Sequence, residues 1–150
     1  MYKRQVCNGE TGFTDTLPSE KTETGAWLVP PVAAGAVPEN FTAATSISFA
    51  IPLATGIPGT NVHFEPVGYT GTDPNCPGTA KEPDAKAGHL CVYTGVLSGP
   101  VEADSEHPIV TLDSGIGGSA VDGASVSGAS LIFATEANAL IKGSWAVTAP

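Results

Sequence analysis

His63 and Glu65 are the residues of this chain whose types and spacing best suit metal binding. They lie two positions apart in the run Asn61–Val67, where alternating apolar and polar residues predict a half-buried strand, so both side chains share one face. His89, in the similar run Gly88–Thr94, joins them if the two strands are neighbours. Three such ligands can hold a divalent metal with an open coordination position. We favour the simpler alternative, polar side chains on the solvated face of a sheet, and we predict no cofactor.

The cysteines provide a second candidate site, a disulfide rather than a nucleophile. Cys76 lies in the polar loop Gly71–Gly78, whose Asp-Pro and Pro-Gly steps favour turns, and Cys91 lies fifteen positions later in the second strand. A bridge between them would clamp the loop onto the strand and contribute about 3 kcal/mol in the chain-entropy model. A catalytic thiol would instead need a reduced cysteine beside a base. We predict a Cys76–Cys91 disulfide with Cys7 left over, which favours an oxidising compartment.

Three other segments resemble functional motifs, but each lacks residues or a structural element that its motif requires. Gly115–Ala120 fits the Gly-x-Gly-x-x-Ala form of a dinucleotide-binding loop, but that motif needs a helix N-terminus, and Val121–Ser125 is a poor helix former. The stretch Gly123–Ser127 lacks the last glycine of a Gly-x-Ser-x-Gly elbow. The acidic run Glu102–Glu106 lacks the alternating Asp/Asn residues and the glycine of a calcium loop. We predict that the protein has no catalytic residues and is not an enzyme.

Composition limits the class of protein. The 150 residues are enough for one domain with a hydrophobic core. Glycine (18 residues) and proline (13 residues) are frequent, yet 41% of the residues are hydrophobic and occur in short runs, which is typical of a folded all-β chain. The formal net charge of −9, with six basic residues, argues against binding nucleic acid. No apolar stretch reaches the length that crosses a membrane as a helix.

The elements that must position these residues are short strands separated by turn residues. Alternation and flanking glycine and proline predict seven strands, at Thr24–Val29, Thr45–Leu53, Asn61–Val67, Gly88–Thr94, Ile109–Leu112, Ala129–Thr135 and Leu140–Thr148. This pattern predicts an antiparallel, jelly-roll-like β-sandwich, in which the last two strands form a hairpin. The similar sequences Gly25–Trp27 and Gly143–Trp145 predict that the first and last strands are neighbours.

The chain divides into a lead-in and one domain. Residues 23–150 carry the strand pattern and are predicted to form a single β-sandwich domain. Residues 1–22 show almost no apolar periodicity, which predicts a flexible lead-in. It contains two consecutive Gly-X-Y triplets within Gly9–Thr14, the unit of the collagen triple helix, and we interpret them as a candidate collagen-like remnant. Met1–Gln5 resembles a translated adapter used in DNA sequencing libraries, which implies a non-native start and a natural chain that extends further upstream.

Six short segments carry a resemblance that covers most of residues 9–150: Thr11–Thr14, Leu17–Ser19, Thr22–Trp27, Val62–Phe64, Leu90–Tyr93 and Gly143–Val147. In their order and spacing they resemble the C-terminal globular head that follows Gly-X-Y repeats in bacterial collagen-like surface proteins. The resemblance implies a secreted or cell-surface protein with an upstream collagen-like stalk and a non-enzymatic structural or assembly function. Heads placed after collagen stalks are often trimeric jelly rolls, so a homotrimer is expected by analogy, although no motif of the complement or tumour-necrosis-factor families is present.

Two classes of function follow from these observations. The first is the structural or assembly head, in which the weakly charged stretch Ser114–Ala134 would pack against copies of itself. The alternative is a cell-surface module that binds a ligand, namely carbohydrate, through exposed aromatic side chains such as Tyr69 and Tyr93. A metal-dependent enzyme on the face of His63 and Glu65 is a third and less favoured hypothesis.

Overall fold

Strands form nearly all of the regular structure. The computed structural model describes residues 15–33, 41–103, 108–115 and 120–150, and within these ranges it contains one short 3-10 turn, Gly59–Asn61, and no α-helix. The strands are β1 (Thr22–Val29), β2 (Phe41–Ser48), β3 (Ile57–Pro58), β4 (Val62–Glu65), β5 (Leu90–Ser98), β6 (Val101–Ala103), β7 (Ile109–Val110), β8 (Gly123–Ala124), β9 (Gly128–Thr135) and β10 (Leu140–Thr148). No helix in these ranges is both long and apolar enough to cross a membrane. The predicted all-β fold class is confirmed.

Two sheets contain most of the strands and pack as a sandwich. The first has the order β1-β10-β5-β4, and its pairs are antiparallel except β4 and β5, which run parallel. In the second sheet, β9 pairs with β2 on one edge and with β6 and β7 on the other, always antiparallel. β3 and β8 form a separate two-stranded sheet. In sequence order, the strands of the pair β2–β9 both lie between the strands of the pair β1–β10. The finer description of the sandwich as a jelly roll stays a prediction.

Aromatic side chains from both sheets meet in the core. The rings of Trp27 and Phe133 stack with their centroids 5.4 Å apart, and Phe64 packs against both. Leu90 and Val92 of β5 are wholly buried in the same cluster. Removal of this apolar surface from water is the main contribution that holds the two sheets together.

The first and last strands are neighbours, as their similar Gly-x-Trp sequences predict. Gly25 pairs with Trp145 and Trp27 pairs with Gly143, so each tryptophan lies opposite a glycine of the other strand. A Cβ atom on Gly25 would come within 2.5 Å of the Trp145 ring, so this ring lies directly against bare backbone. The indole Nε1 of Trp27 donates a hydrogen bond of 3.1 Å to the carbonyl of Ser144. The absence of a side chain at Gly25 therefore permits the close packing of β1 and β10.

The predicted hairpin of the last two strands is wrong. β9 and β10 lie in different sheets, because β2, β6 and β7 occupy both edges of β9, and β1 and β5 occupy both edges of β10. Leu131 and Phe133 of β9 instead face the core together with Ile141 of β10. Within the stretch Ser114–Ala134, the β9 part is therefore a poor surface for self-association, because most of its side chains are already buried within one chain.

The described part of the predicted lead-in, residues 15–22, contacts the domain. Leu17 is buried in the core, and its backbone N–H donates a hydrogen bond to the carbonyl of Pro52. The N–H of Glu20 donates to the carbonyl of Ala149. This part is thus not a free segment, because one apolar side chain and backbone hydrogen bonds anchor it. The adapter-like start and the Gly-X-Y triplets lie outside the described residues.

Candidate functional site

A long connection, residues 66–89, leads from β4 to β5 and packs on the outer face of the first sheet. Cys76 in this loop and Cys91 in β5 form a disulfide, with an S–S distance of 1.97 Å and a Cα–Cα distance of 5.7 Å. Both cysteines are 0% exposed. They share a small apolar cluster with Ala85, Tyr93 and Ala146 that is separate from the main core. The predicted clamp between loop and strand is therefore present in the structure.

Tyr93 is buried, although the sequence suggested an exposed aromatic side chain. Its hydroxyl donates a hydrogen bond to the carbonyl of Asp84 and accepts one of 3.2 Å from the N–H of Gly78. Burial raises the pKa of Tyr93 to about 12, against the opposing effect of these two hydrogen bonds, so the hydroxyl is neutral at physiological pH. Every aromatic side chain in the described ranges is buried or half-buried. The predicted exposed platform of Tyr69 and Tyr93 is therefore wrong, because the loop covers this face of the sheet.

Asp73 is held in the loop by a tyrosine and by its own turn. The hydroxyl of Tyr69 accepts a hydrogen bond of 2.6 Å from the Asp73 N–H and donates one of 3.0 Å to the carbonyl of Cys76. The Asp73 Oδ1 atom accepts a hydrogen bond of 2.8 Å from the N–H of Asn75, which forms an Asx turn. The other oxygen, Oδ2, lies 3.4 Å from Nδ1 of His63. The loop thus presents one carboxylate oxygen to strand β4.

The parallel pairing of β4 with β5 places the predicted metal candidates on the face that the loop covers. His63 pairs with Cys91, and Glu65 pairs with Tyr93. His89 lies two residues before Cys91 and therefore points to the same side. His63 Nε2 and His89 Nδ1 form a hydrogen bond of 2.9 Å. The structure therefore brings the two histidines into contact, with Glu65 on the same face.

The convergent set of ligand atoms differs from the predicted one. Atoms of His63, Glu65, Asp73 and Cys76 lie within 4.8 Å of one another, whereas His89 contacts the opposite nitrogen of the His63 ring. The Cys76 sulfur belongs to the disulfide and is therefore not a thiolate. The side chains of His63 and Asp73 are 19% and 31% exposed. The cluster is therefore half-buried and consists of one imidazole and two carboxylates.

Burial and neighbouring charges shift the pKa values of Glu65 and His89. Burial raises the pKa of Glu65, and the negative charge of Asp73 raises it further. Burial also lowers the pKa of His89, and positive charge on His63 and Lys86 lowers it further, against the attraction of Asp73. The negative charge of Asp73 thus opposes the ionisation of Glu65, while His89 favours its neutral form. The cluster of His63, Glu65 and Asp73 therefore contains two carboxylates and only one side chain that can carry a positive charge.

No protein-family model, curated protein or solved structure matches this chain. Function must therefore be inferred from the residues and geometry of the site.

Asp73 is the candidate residue that the sequence did not single out. Strand periodicity cannot give the direction of a loop, so it could not place Asp73 beside His63. One sequence signal for this position was present. Asp73 lies three residues before Cys76 in a turn-forming sequence, and the predicted disulfide holds Cys76 against the sheet, so an Asx turn there brings the Asp73 carboxylate to β4. Cys7 and part of the dinucleotide-like loop Gly115–Ala120 lie outside the described residues.

Proposed function

We propose that this chain is the non-catalytic structural head of a secreted or cell-surface collagen-like protein. The observation that carries the proposal is the wholly buried disulfide between Cys76 and Cys91, around which the loop 66–89 packs. Disulfides of this structural kind form and persist in oxidising compartments outside the cytoplasm. The resemblance of the sequence to heads of collagen-like proteins supports the same location, with a Gly-X-Y stalk upstream.

The alternative role in carbohydrate binding loses its support. It rested on exposed aromatic side chains, and the aromatic residues of the described ranges are all buried or half-buried. Tyr69 and Tyr93 use their hydroxyls to hold the backbone of the loop. Their role is therefore structural, which agrees with the head function.

A candidate surface for self-association lies on the part of the outer face of the first sheet that the loop 66–89 leaves exposed. Leu28, Lys142 and Val96 form one row across β1, β10 and β5. Leu28 and Val96 are 46% and 42% exposed, and Lys142 is exposed between them. In a chain of net charge −9, this row combines apolar contact area with a positive charge, which reduces repulsion between copies. We propose that it packs against further copies of the chain in a homotrimer.

Light scattering on the chain at micromolar concentration tests this assembly. We expect a mass three times that of the single chain, which is 15.1 kDa. Leu28→Glu introduces a negative charge at the contact and should shift the mass to that of one chain. Leu112→Glu alters a similarly exposed leucine, 44% accessible in the segment after β7, and should leave the trimer intact. A single-chain mass at every concentration, or a trimer that tolerates Leu28→Glu, would contradict the proposal.

A further inference from the structure

A group of acceptors lies where the disulfide-linked loop meets β4. Oδ2 of Asp73 is 3.4 Å from Nδ1 of His63, and a carboxylate oxygen of Glu65 lies within 4.8 Å of the ligand atoms of these two residues. Within the described part of the chain, no backbone or side-chain group donates a hydrogen bond to the Glu65 carboxylate. Two carboxylates brought together in a half-buried position are stabilised by a positive partner. The geometry therefore suits a cation held between the three side chains.

The contact between the two histidines determines which nitrogen of His63 is available to such a cation. When Nε2–H of His63 donates to Nδ1 of His89, 2.9 Å away, Nδ1 of His63 keeps its lone pair toward the carboxylates. Histidines that bind metals are commonly oriented by a hydrogen bond at the second ring nitrogen. His63 is then a ligand, and His89 is a positioning residue.

We propose that Nδ1 of His63, the carboxylate of Glu65 and Oδ2 of Asp73 bind one divalent transition-metal ion such as Zn²⁺ or Co²⁺. Two ligand atoms at about 2.1 Å from a tetrahedral ion lie about 3.4 Å from each other. This equals the separation of 3.4 Å between His63 and Asp73. An imidazole with two carboxylates suits zinc-like ions, whereas calcium and magnesium take oxygen ligands. Three protein ligands leave one coordination position for water.

The ligands are held in place by the fold itself. His63 and Glu65 alternate along one strand, and Asp73 is fixed by its Asx turn and by the hydroxyl of Tyr69. The disulfide keeps the loop on this face of the sheet. Because little ordering is left to occur on binding, the entropy cost of assembling the site is small. The ion would join the loop to β4 at a second point, beyond the structural role proposed above.

Calorimetric titration of the untagged chain with Zn²⁺ in the absence of reductant tests this site. The disulfide must stay intact, because reduction would free the Cys76 sulfur as a further ligand at the same point. We expect one Zn²⁺ per chain and a higher melting temperature of the zinc-bound protein. We also expect Co²⁺ to bind with the same stoichiometry and to show the intense visible absorption of a low-coordinate ion.

Asp73→Asn is the sharpest variant, because it keeps Oδ1 for the turn with Asn75 and replaces Oδ2 by an amide nitrogen. Loss of an outer hydrogen-bond partner of a ligand lowers metal affinity by roughly 10–100-fold. Because Asp73 is itself a ligand, we expect the Zn²⁺ affinity to decrease by more than about 100-fold and the Co²⁺ bands to disappear. Asp113→Asn neutralises an exposed aspartate outside the cluster and should bind as the wild type does. Glu65→Gln alters the proposed ligand in β4, and we expect it to lower Zn²⁺ affinity in the same way. Circular dichroism verifies that each variant is folded.

Three results would overturn the proposal. The first is the absence of stoichiometric Zn²⁺ binding by the wild-type chain. The second is wild-type affinity in both Asp73→Asn and Glu65→Gln, which would assign the ion to other residues. The third is an equal loss of affinity in Asp113→Asn, which would indicate non-specific attraction to an acidic chain. None of these results depends on the oligomeric state.

Discussion

Glu23, the second residue of β1, is a carboxylate that the fold places in an unfavourable position. Its Oε1 atom accepts a hydrogen bond of 2.8 Å from the N–H of Ile51. Its Oε2 atom is buried, and no group in the described ranges forms a hydrogen bond with it. Burial raises the pKa of Glu23 above 4.5, while hydrogen bonds from the backbone of Ile51 and Ala50 oppose the shift. Ionisation of Glu23 therefore costs stability in the native state.

Glu23→Gln should stabilise the protein increasingly as the pH rises. The raised pKa means that the native state holds the Glu23 proton more tightly than the unfolded state does, so the wild type loses stability as the pH rises through the native-state pKa. Glutamine keeps an oxygen for the N–H of Ile51 and cannot ionise.

We expect the melting temperature of the variant, minus that of the wild type, to increase between about pH 4 and about pH 7. Thermal unfolding followed by circular dichroism measures this difference. A difference that is constant or that decreases over this range would show that Glu23 does not carry the predicted cost.

At the scale of elements, the packing of β1 on β10 depends on a position without a side chain. Gly25→Ala should destabilise the protein by about 1–3 kcal/mol, the range typical of overpacking, because the new Cβ would lie 2.5 Å from the Trp145 ring. Gly95→Ala is the matched control, since its Cβ would meet only ordinary contacts of 3.4 Å or more, and we expect a change within about 0.5 kcal/mol. Urea denaturation measures both free energies of unfolding, and equal effects would contradict this explanation.

The alternation of apolar and polar residues predicts which side chains are buried better than it predicts where a strand begins and ends. The run Thr45–Leu53 predicted a strand, whereas β2 is Phe41–Ser48. Phe49 and Leu53 are buried as predicted, but they lie after the strand, where their N–H groups donate to carbonyls of the segment that precedes β9. The alternating pattern continues past β2 because the core continues there, while backbone pairing with β9 ends. Burial was therefore predictable from local sequence, and the end of pairing was not.

At the scale of the whole molecule, local signals predicted the class of fold but not its complete strand arrangement. Strand periodicity and turn residues gave the all-β class, and the cysteine spacing in its turn-rich loop gave the disulfide. The separation of β9 and β10 into two sheets depends on the edges that other strands occupy, which local sequence does not encode. The parallel pair of β4 and β5 needs a crossover, and the loop 66–89 provides it. The path of this loop also places Asp73 beside His63, and the one sequence signal for that path was the closeness of Asp73 to the predicted disulfide at Cys76.

The measurement that most directly tests the central claim, that a Cys76–Cys91 disulfide holds the loop 66–89 on the sheet, is peptide mapping of the chain purified without reductant. Protease digestion and mass spectrometry identify which cysteines are linked. We predict one pair of linked peptides that carries Cys76 and Cys91, with Cys7 outside this bond. A peptide that links Cys7 to Cys76 or to Cys91, or a protein whose cysteines are all reduced, would contradict the claim.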